Sequence, residues 1–261
     1  MGSLDTNPTA FSAFPAGEGE TFQPLNADDV RSYLHKAVDF ISDYYKSVES
    51  MPVLPNVKPG YLQDELRASP PTYSAPFDVT MKELRSSVVP GMTHWASPNF
   101  FAFFPSTNSA AAIAGDLIAS AMNTVGVGRR FRGLKLWMVM RTYGVAKLQE
   151  HIRSDVAMAK VFEDLVRGDD RFEVVVPRNF ALVCFRIRAG AGAAAATEED
   201  ADEANRELME RLNKTGKAYV AHTVVGGRFV LRFAVGSSLQ EEHHVRSAWE
   251  LIKKTTTEMM N

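Results

Sequence analysis

The chain has 261 residues, 45% of them hydrophobic and 23% charged, a balance that suits globular structure with room for one large or two modest domains. Its 29 basic and 31 acidic residues leave a net charge of −2, so no global field favours nucleic acid or an anionic membrane. One cysteine, Cys184, excludes an intrachain disulfide, and the longest apolar run, residues 110–125, is short for a bilayer span and carries Asp116.

Residues 1–25 hold Pro8, Pro15 and Pro24 without apolar periodicity, which suits a disordered leader. They also lack the basic start and apolar run of a secretory signal, so the expected compartment is cytoplasmic, with no membrane and no nucleic-acid partner. Met1-Gly2 with Thr6 fits the loose myristoylation pattern, but no basic patch follows to supply a second membrane signal. The sequon Asn213-Lys214-Thr215 has no meaning in the cytosol.

Asn26 is placed to cap a helix with Asp28 and Asp29 in its first turn, and Val30, Tyr33, Leu34, Ala37, Ile41, Tyr44, Tyr45 and Val48 recur at helical spacing. A proline strap follows at Pro52, Pro55 and Pro59, then short helical pieces at 62–68 and 78–89, bounded by Pro76 and Pro90. Pieces this small cannot close a core, so their apolar faces must dock elsewhere.

His94 to Asn108, HWASPNFFAFFPSTN, packs four Phe, a Trp, a His and two Pro into one stretch. It is too stiff and apolar for a solvent loop and too Pro-broken for a regular element, the character of a segment that lines something. Asn108 then opens an Ala-rich helix to Val125, apolar nearly all round and expected in a core. A second helical region covers 130–165, with Gly144 as the expected kink.

The remainder reads as strands at 172–176 and 181–188, a helix from Thr197 to Asn213 capped by Thr197 with Asp200, a hairpin of 218–225 and 228–235 around Gly226-Gly227, and a final helix to Met259 behind a Ser238–Glu241 capping box. The order is ββαββα, a small sheet with helices on one face. Among possible ligands, His243 and His244 are adjacent on a helix and expected to point apart, His222 has no partner at ligand spacing, and no metal site is expected. Cys184 alternates with its neighbours as a sheet residue.

HWASPNFFAFFPSTN, with PNVKPGYL (55–62), SAMNTVG (120–126), RRFRGLKLWMVMRTYG (129–144) and GGRFVLRFAV (226–235), resembles the plant aromatic L-amino acid decarboxylases, tyrosine and tryptophan decarboxylases of the group II pyridoxal-phosphate (PLP) family. The resemblance implies an α+β chain: a helical N-terminal arm with the aromatic pocket segment at 26–107, remnant helices of a PLP-transferase type I large domain at 108–168, and a ββαββα small domain at 169–261. It implies Trp95, Phe103, Phe104, Pro105, Ser106 and Val125 as the substrate-binding wall for the ring of tyrosine, dopa or tryptophan; the alternative for Trp95, Phe103, Phe104 and Pro105 is a hydrophobic wedge that packs the arm on its neighbour.

Val127 stands where the family has Phe, and near 126–128 two family segments meet that are elsewhere separated by most of the PLP-binding domain. By resemblance, that stretch carries the Schiff-base lysine, the carboxylate on the pyridine nitrogen, the stacking His, the phosphate cup and a mobile-loop Tyr. The one His-Lys pair, His35-Lys36, sits on the polar side of the first helix, out of the family context. The basic residues Arg129, Arg130 and Arg132 read as a junction whose partners are gone, with an anion site as the alternative. The expectation is a chain that has lost catalysis and PLP binding, forming a homodimer or a heterodimer with a full-length relative. The alternative is a non-enzymatic regulatory partner of such a relative.

Overall fold

The computed structural model describes residues 26–66, 75–105, 109–121 and 133–260, and divides them into two units. Ser106, Thr107, Asn108 and residues 122–132, with Val125 and the Arg129–Arg132 cluster, lie outside the described residues, as do 1–25.

The first unit comprises the described residues within 26–43 and 57–91. It contains most of α1 (Ala27–Ser47), α2 (Tyr61–Glu65) and α3 (Phe77–Glu83), the last running on through a π turn at Leu84–Val88. The Asn26 side chain accepts from Asp28 N–H at 2.9 Å and Asp29 N–H at 3.3 Å, as its position predicts. Tyr33 stacks on Phe77 at 4.1 Å and Lys36 pairs with Asp78 at 2.7 Å. None of these three helices buries a residue in this unit, and Val30, Tyr33, Leu34 and Val38 stay exposed along α1. The unit has no core of its own.

The second unit, 44–56 and 92–261, is built on α4 (Ala110–Ser120), α5 (Gly133–Arg167), β1 (Phe172–Val174), β2 (Leu182–Ile187), α6 (Glu198–Lys214), β3 (Ala221–Val225), β4 (Arg228–Ala234) and α7 (Glu242–Met260). The strands form an antiparallel sheet in the order β1-β2-β4-β3. Period-2 alternation sends Val183, Phe185 and Ile187 of β2 and Phe229, Leu231 and Phe233 of β4 into one core face, covered by Phe162 of α5, Leu208 of α6 and Trp249 of α7. Gly226 and Gly227 both hold positive φ, 58° and 82°, which a two-residue hairpin turn requires.

Where β2 and β4 stop pairing, α6 supplies the partner. Asn205 accepts from Ile187 N–H at 2.8 Å and donates to Ile187 C=O at 2.9 Å, replacing a strand with an amide. Beside it Arg186, fully buried, pairs with Glu198 at 2.9 Å and Asp202 at 3.1 Å, so its charge is compensated where water is excluded. The Thr197–Asp200 capping box forms as expected.

Three expectations change. Ser109 caps α4, its Oγ accepting from Ala112 N–H. Among the described residues α4 buries only Ala111, Ala112, Gly115 and Ala119, against α5, and leaves Ile118 46% exposed, so they do not make it a core helix. At the start of α7 no Ser238–Glu241 box forms: Glu241 N–H donates to His244 Nδ1 at 3.0 Å, while Gln240 Oε1 accepts from Gly236 N–H and Ser237 N–H. A buried amide and imidazole outcompete an exposed serine. Gly144 does interrupt α5, at φ 69° and ψ 169°.

Candidate functional site

The aromatic segment is woven into the sheet of the second unit. Tyr219 N–H donates to Asn99 C=O at 3.1 Å, Phe101 N–H to Tyr219 C=O at 2.8 Å, and Ala234 N–H to Phe101 C=O at 2.8 Å. Residues 99–101 thus fill the place where β3 and β4 diverge. Strand-like alternation then splits the two phenylalanines between the faces. Phe101 joins the main core, stacked on Phe233 at 4.2 Å, and Phe233 stacks on Phe162 at 3.6 Å. Phe100 goes to the other side, into a smaller cluster with Val53 and Ala102.

Gln240 locks the segment in place. Its Nε2 donates to Pro98 C=O and Phe100 C=O, both at 3.1 Å, so with the two bonds to its Oε1 every hydrogen-bonding position of the buried amide is used. His94 is buried at the front end, its N–H bonded to Val53 C=O and its Nδ1 3.1 Å from Tyr44 Oη. Burial holds the imidazole below its ordinary pKa and the Tyr44 phenol above its own, so at neutral pH both are uncharged.

Of the expected wall, Trp95 and Phe103 meet edge to face at 4.9 Å and both touch Phe100. Trp95 remains 45% exposed and Phe104 51%. Phe104 turns away to lie on Gly236, where a Cβ would come within 2.8 Å of its ring. Pro105 is half-buried, and Ser106 and Val125 lie outside the described residues. Spacing alone did not single out Phe101, Tyr219, Gly236 or Gln240. The only local signal was the apolar Phe100–Phe103 run, since the partners lie more than a hundred residues away.

PLP chemistry needs an amine that can attack from a desolvated position facing the cofactor. All eleven lysines of the chain fall in the described residues, and none is buried. The least exposed, Lys36, Lys135 and Lys253, are ion-paired to Asp78, Asp116 and Glu250. A shallow cavity of about 410 Å³ lies beside Glu163, Arg167 and Arg178; it is lined by neither a lysine nor any part of the aromatic segment. Among the described residues, no buried lysine faces this cavity.

His243 and His244 do not point apart as expected. Their rings lie 3.7 Å apart, both turned to Glu49: His244 Nε2 is 3.1 Å and His243 Nε2 3.8 Å from its Oε1. Successive helical side chains diverge at Cβ, but long rotamers at a helix start can reconverge on one carboxylate. These three groups are close enough to share an ion. The hydrogen bonds argue otherwise. Because His244 Nδ1 accepts a backbone N–H, the neutral ring carries its proton on Nε2 and donates it to Glu49, which opposes metal ligation at that nitrogen. Cys184 is buried, and desolvation pushes its thiol up, away from reactivity.

The family described as "Pyridoxal-dependent decarboxylase conserved domain" matches residues 59–128 and 124–188, two stretches that meet at 124–128. Tryptophan decarboxylase 1 of Oryza sativa subsp. japonica is 51% identical, over 514 aligned positions that span 100% of both chains. The chain belongs to the pyridoxal-dependent decarboxylase family. As it has 261 residues, at least 253 of those 514 positions, their difference, have no residue of this family member opposite them. Tyrosine decarboxylase 1 of Narcissus pseudonarcissus is 52% identical over 138 residues, 52% of this chain and 27% of the relative. A crystal structure of Oryza sativa TDC with PLP and tryptamine superposes with a TM-score of 0.89 at 50% identity, covering 92% of this chain and 100% of that one. The likeness to these decarboxylases supports the mixed helix and sheet architecture and identifies PLP as the cofactor of the family.

Proposed function

We propose that this chain is a catalytically silent member of the aromatic amino acid decarboxylases, carboxy-lyases that act on tyrosine, dopa or tryptophan. The observation that carries the reading is the junction: two family segments meet at 124–128 where the alignment to the rice relative leaves at least 253 positions empty. Under this reading α4 and the first part of α5 are remnants of the large domain, 26–107 is a dimerisation arm, 169–261 is the small domain, and the lysine and phosphate cup went with the missing stretch. The surface placement of every lysine supports it.

The aromatic segment keeps only half of its role. Trp95, Phe103, Phe104 and Pro105 remain as one wall of a substrate slot, with Ser106 and Val125 belonging to it by resemblance. The segment's present work is to hold the strap and the sheet together through Phe100, Phe101 and Gln240. Titrating the purified full chain with PLP tests the reading. The expected spectrum is that of free cofactor plus weak, unsaturable surface reaction, and a saturable one-to-one imine band would overturn it.

A second reading, a cytoplasmic regulatory partner of a full-length relative, is supported by the apolar stripe Val30, Tyr33, Leu34 and Val38 left exposed on α1. Co-expression with that relative, followed by size-exclusion chromatography and an activity assay, tests it. A mixed species with altered turnover is expected, and separate peaks with unchanged turnover would rule it out.

A further inference from the structure

β1 is an edge strand, and the direction of its peptide groups follows from its pairing. Arg188 N–H donates to Arg171 C=O and Val175 N–H to Cys184 C=O, so Arg171, Glu173 and Val175 face β2 and the alternate residues turn their peptide groups outward. Val174 and Val176 are two of these, and neither N–H has a partner among the described residues. Both residues line the cavity of about 410 Å³ beside α5, a volume within the roughly 300–1,000 Å³ of small-molecule sites.

The ionisable side chains of that cavity carry a surplus of positive charge. Glu163, its side chain only 9% exposed, sits between two arginines: Arg167 Nη2 is 2.7 Å from one of its oxygens, and Arg178 Nε donates to the other at 2.9 Å. One guanidinium neutralises this carboxylate, and no other acidic residue lines the cavity to answer the second. Arg178 is also fixed in direction. Its Nη1 donates to Phe180 C=O at 2.6 Å, which leaves Nη2 without a hydrogen-bond partner among the described residues. The nitrogens that hold opposite oxygens of one carboxylate stand about 6 Å apart, a gap that a second oxyanion spans.

We infer that this cavity binds the oxyanion head group of a small ligand, a carboxylate or a phosphate, between Arg167 and Arg178 and against the outward N–H groups of Val174 and Val176. Charge decides the class, since a cation entering here meets two guanidinium groups and one carboxylate already engaged by both. The valines and Pro177 add an apolar wall, suited to a short aliphatic body behind the head group. The site shares no residue with the aromatic wall.

An NMR titration of the isotope-labelled full chain with inorganic phosphate and with sodium propionate, at an ionic strength held constant with sodium chloride, tests the site; propionamide is the uncharged control. Saturable shifts of the Val174, Val176 and Arg178 amide resonances are expected with one or both anions, at a dissociation constant in the millimolar range that about two or three charge-assisted hydrogen bonds provide, and none with propionamide. The tighter binder of the two identifies the head group. Arg178→Gln is expected to weaken binding about tenfold. Because that change also strips a partner from Glu163, Arg167→Gln, at a 61% exposed side chain, is the second variant, expected to weaken binding with an unchanged circular dichroism spectrum. Shifts that never saturate, equal shifts with propionamide, or undiminished binding in Arg167→Gln would each overturn the inference. No readout involves PLP, so its outcome is separate from that of the catalytic reading.

Discussion

Phe101 lies flat on Phe233, ring centroids 4.2 Å apart and planes within 16°, and its backbone bridges Tyr219 and Ala234. A segment that by resemblance lines a substrate slot is thereby a structural strand of the C-terminal sheet. The two roles separate by residue. Phe101→Ala removes a fully buried ring from the aromatic stack and is expected to cost about 3–5 kcal/mol in urea denaturation, whereas Trp95→Ala, half exposed, should cost about 1–2 kcal/mol. Equal losses would place Trp95 in the core.

Gln240 satisfies two carbonyls and two N–H groups at once. Gln240→Glu keeps the shape but turns an anionic oxygen toward Pro98 C=O and Phe100 C=O, an expected loss of about 2–4 kcal/mol at neutral pH. Protonating that carboxyl restores a donor, so the deficit relative to the parent should shrink on acidification. A deficit independent of pH would mean that the amide donors are not what matters.

Gly236 and Phe104 are coupled by contact. Gly236→Ala forces the Phe104 ring off its seat and is expected to destabilise by about 1–3 kcal/mol, while in a Phe104→Ala background the same change should cost little. Additive losses in the double-mutant cycle would show that the strain falls on the backbone instead.

Much of the C-terminal unit was legible in the sequence because its signals are local. Alternation located β2 and β4, Gly226-Gly227 the hairpin, and Thr197 with Asp200 the start of α6. What was illegible depends on partners distant in sequence: Phe101 needs Tyr219 and Ala234, and Gln240 needs Pro98. The Ser238 cap failed for the same reason, since burial of Gln240 and His244 decides how α7 begins. The apolar roundness of α4 was read correctly as composition and wrongly as burial, because a core helix also needs something to cover it.

Stability should fall with pH in two steps. Burial holds the folded His94 imidazole below its ordinary value, so the unfolded chain takes up that proton first and stability declines as pH drops below about 6.5. Hydrogen bonds from the Arg171 side chain hold the Asp169 carboxyl below its ordinary value, so a second loss begins as pH falls through about 4. Urea midpoints of the parent and of His94→Gln at about pH 8 and about pH 5 isolate the first step. The variant should lose less on acidification, and an identical loss would show that His94 does not cause the first step.

Two family segments meet at 124–128, and under the proposed function that junction removed decarboxylation and left the sheet unit folded. The loss of decarboxylation is tested most directly by measuring CO₂ released from carboxyl-labelled tyrosine, dopa and tryptophan by the purified chain at saturating PLP, with the rice relative as a positive control. Release no faster than with PLP alone is expected from each of the three substrates. Enzyme-proportional turnover of any of them, abolished by changing a single lysine, would contradict it.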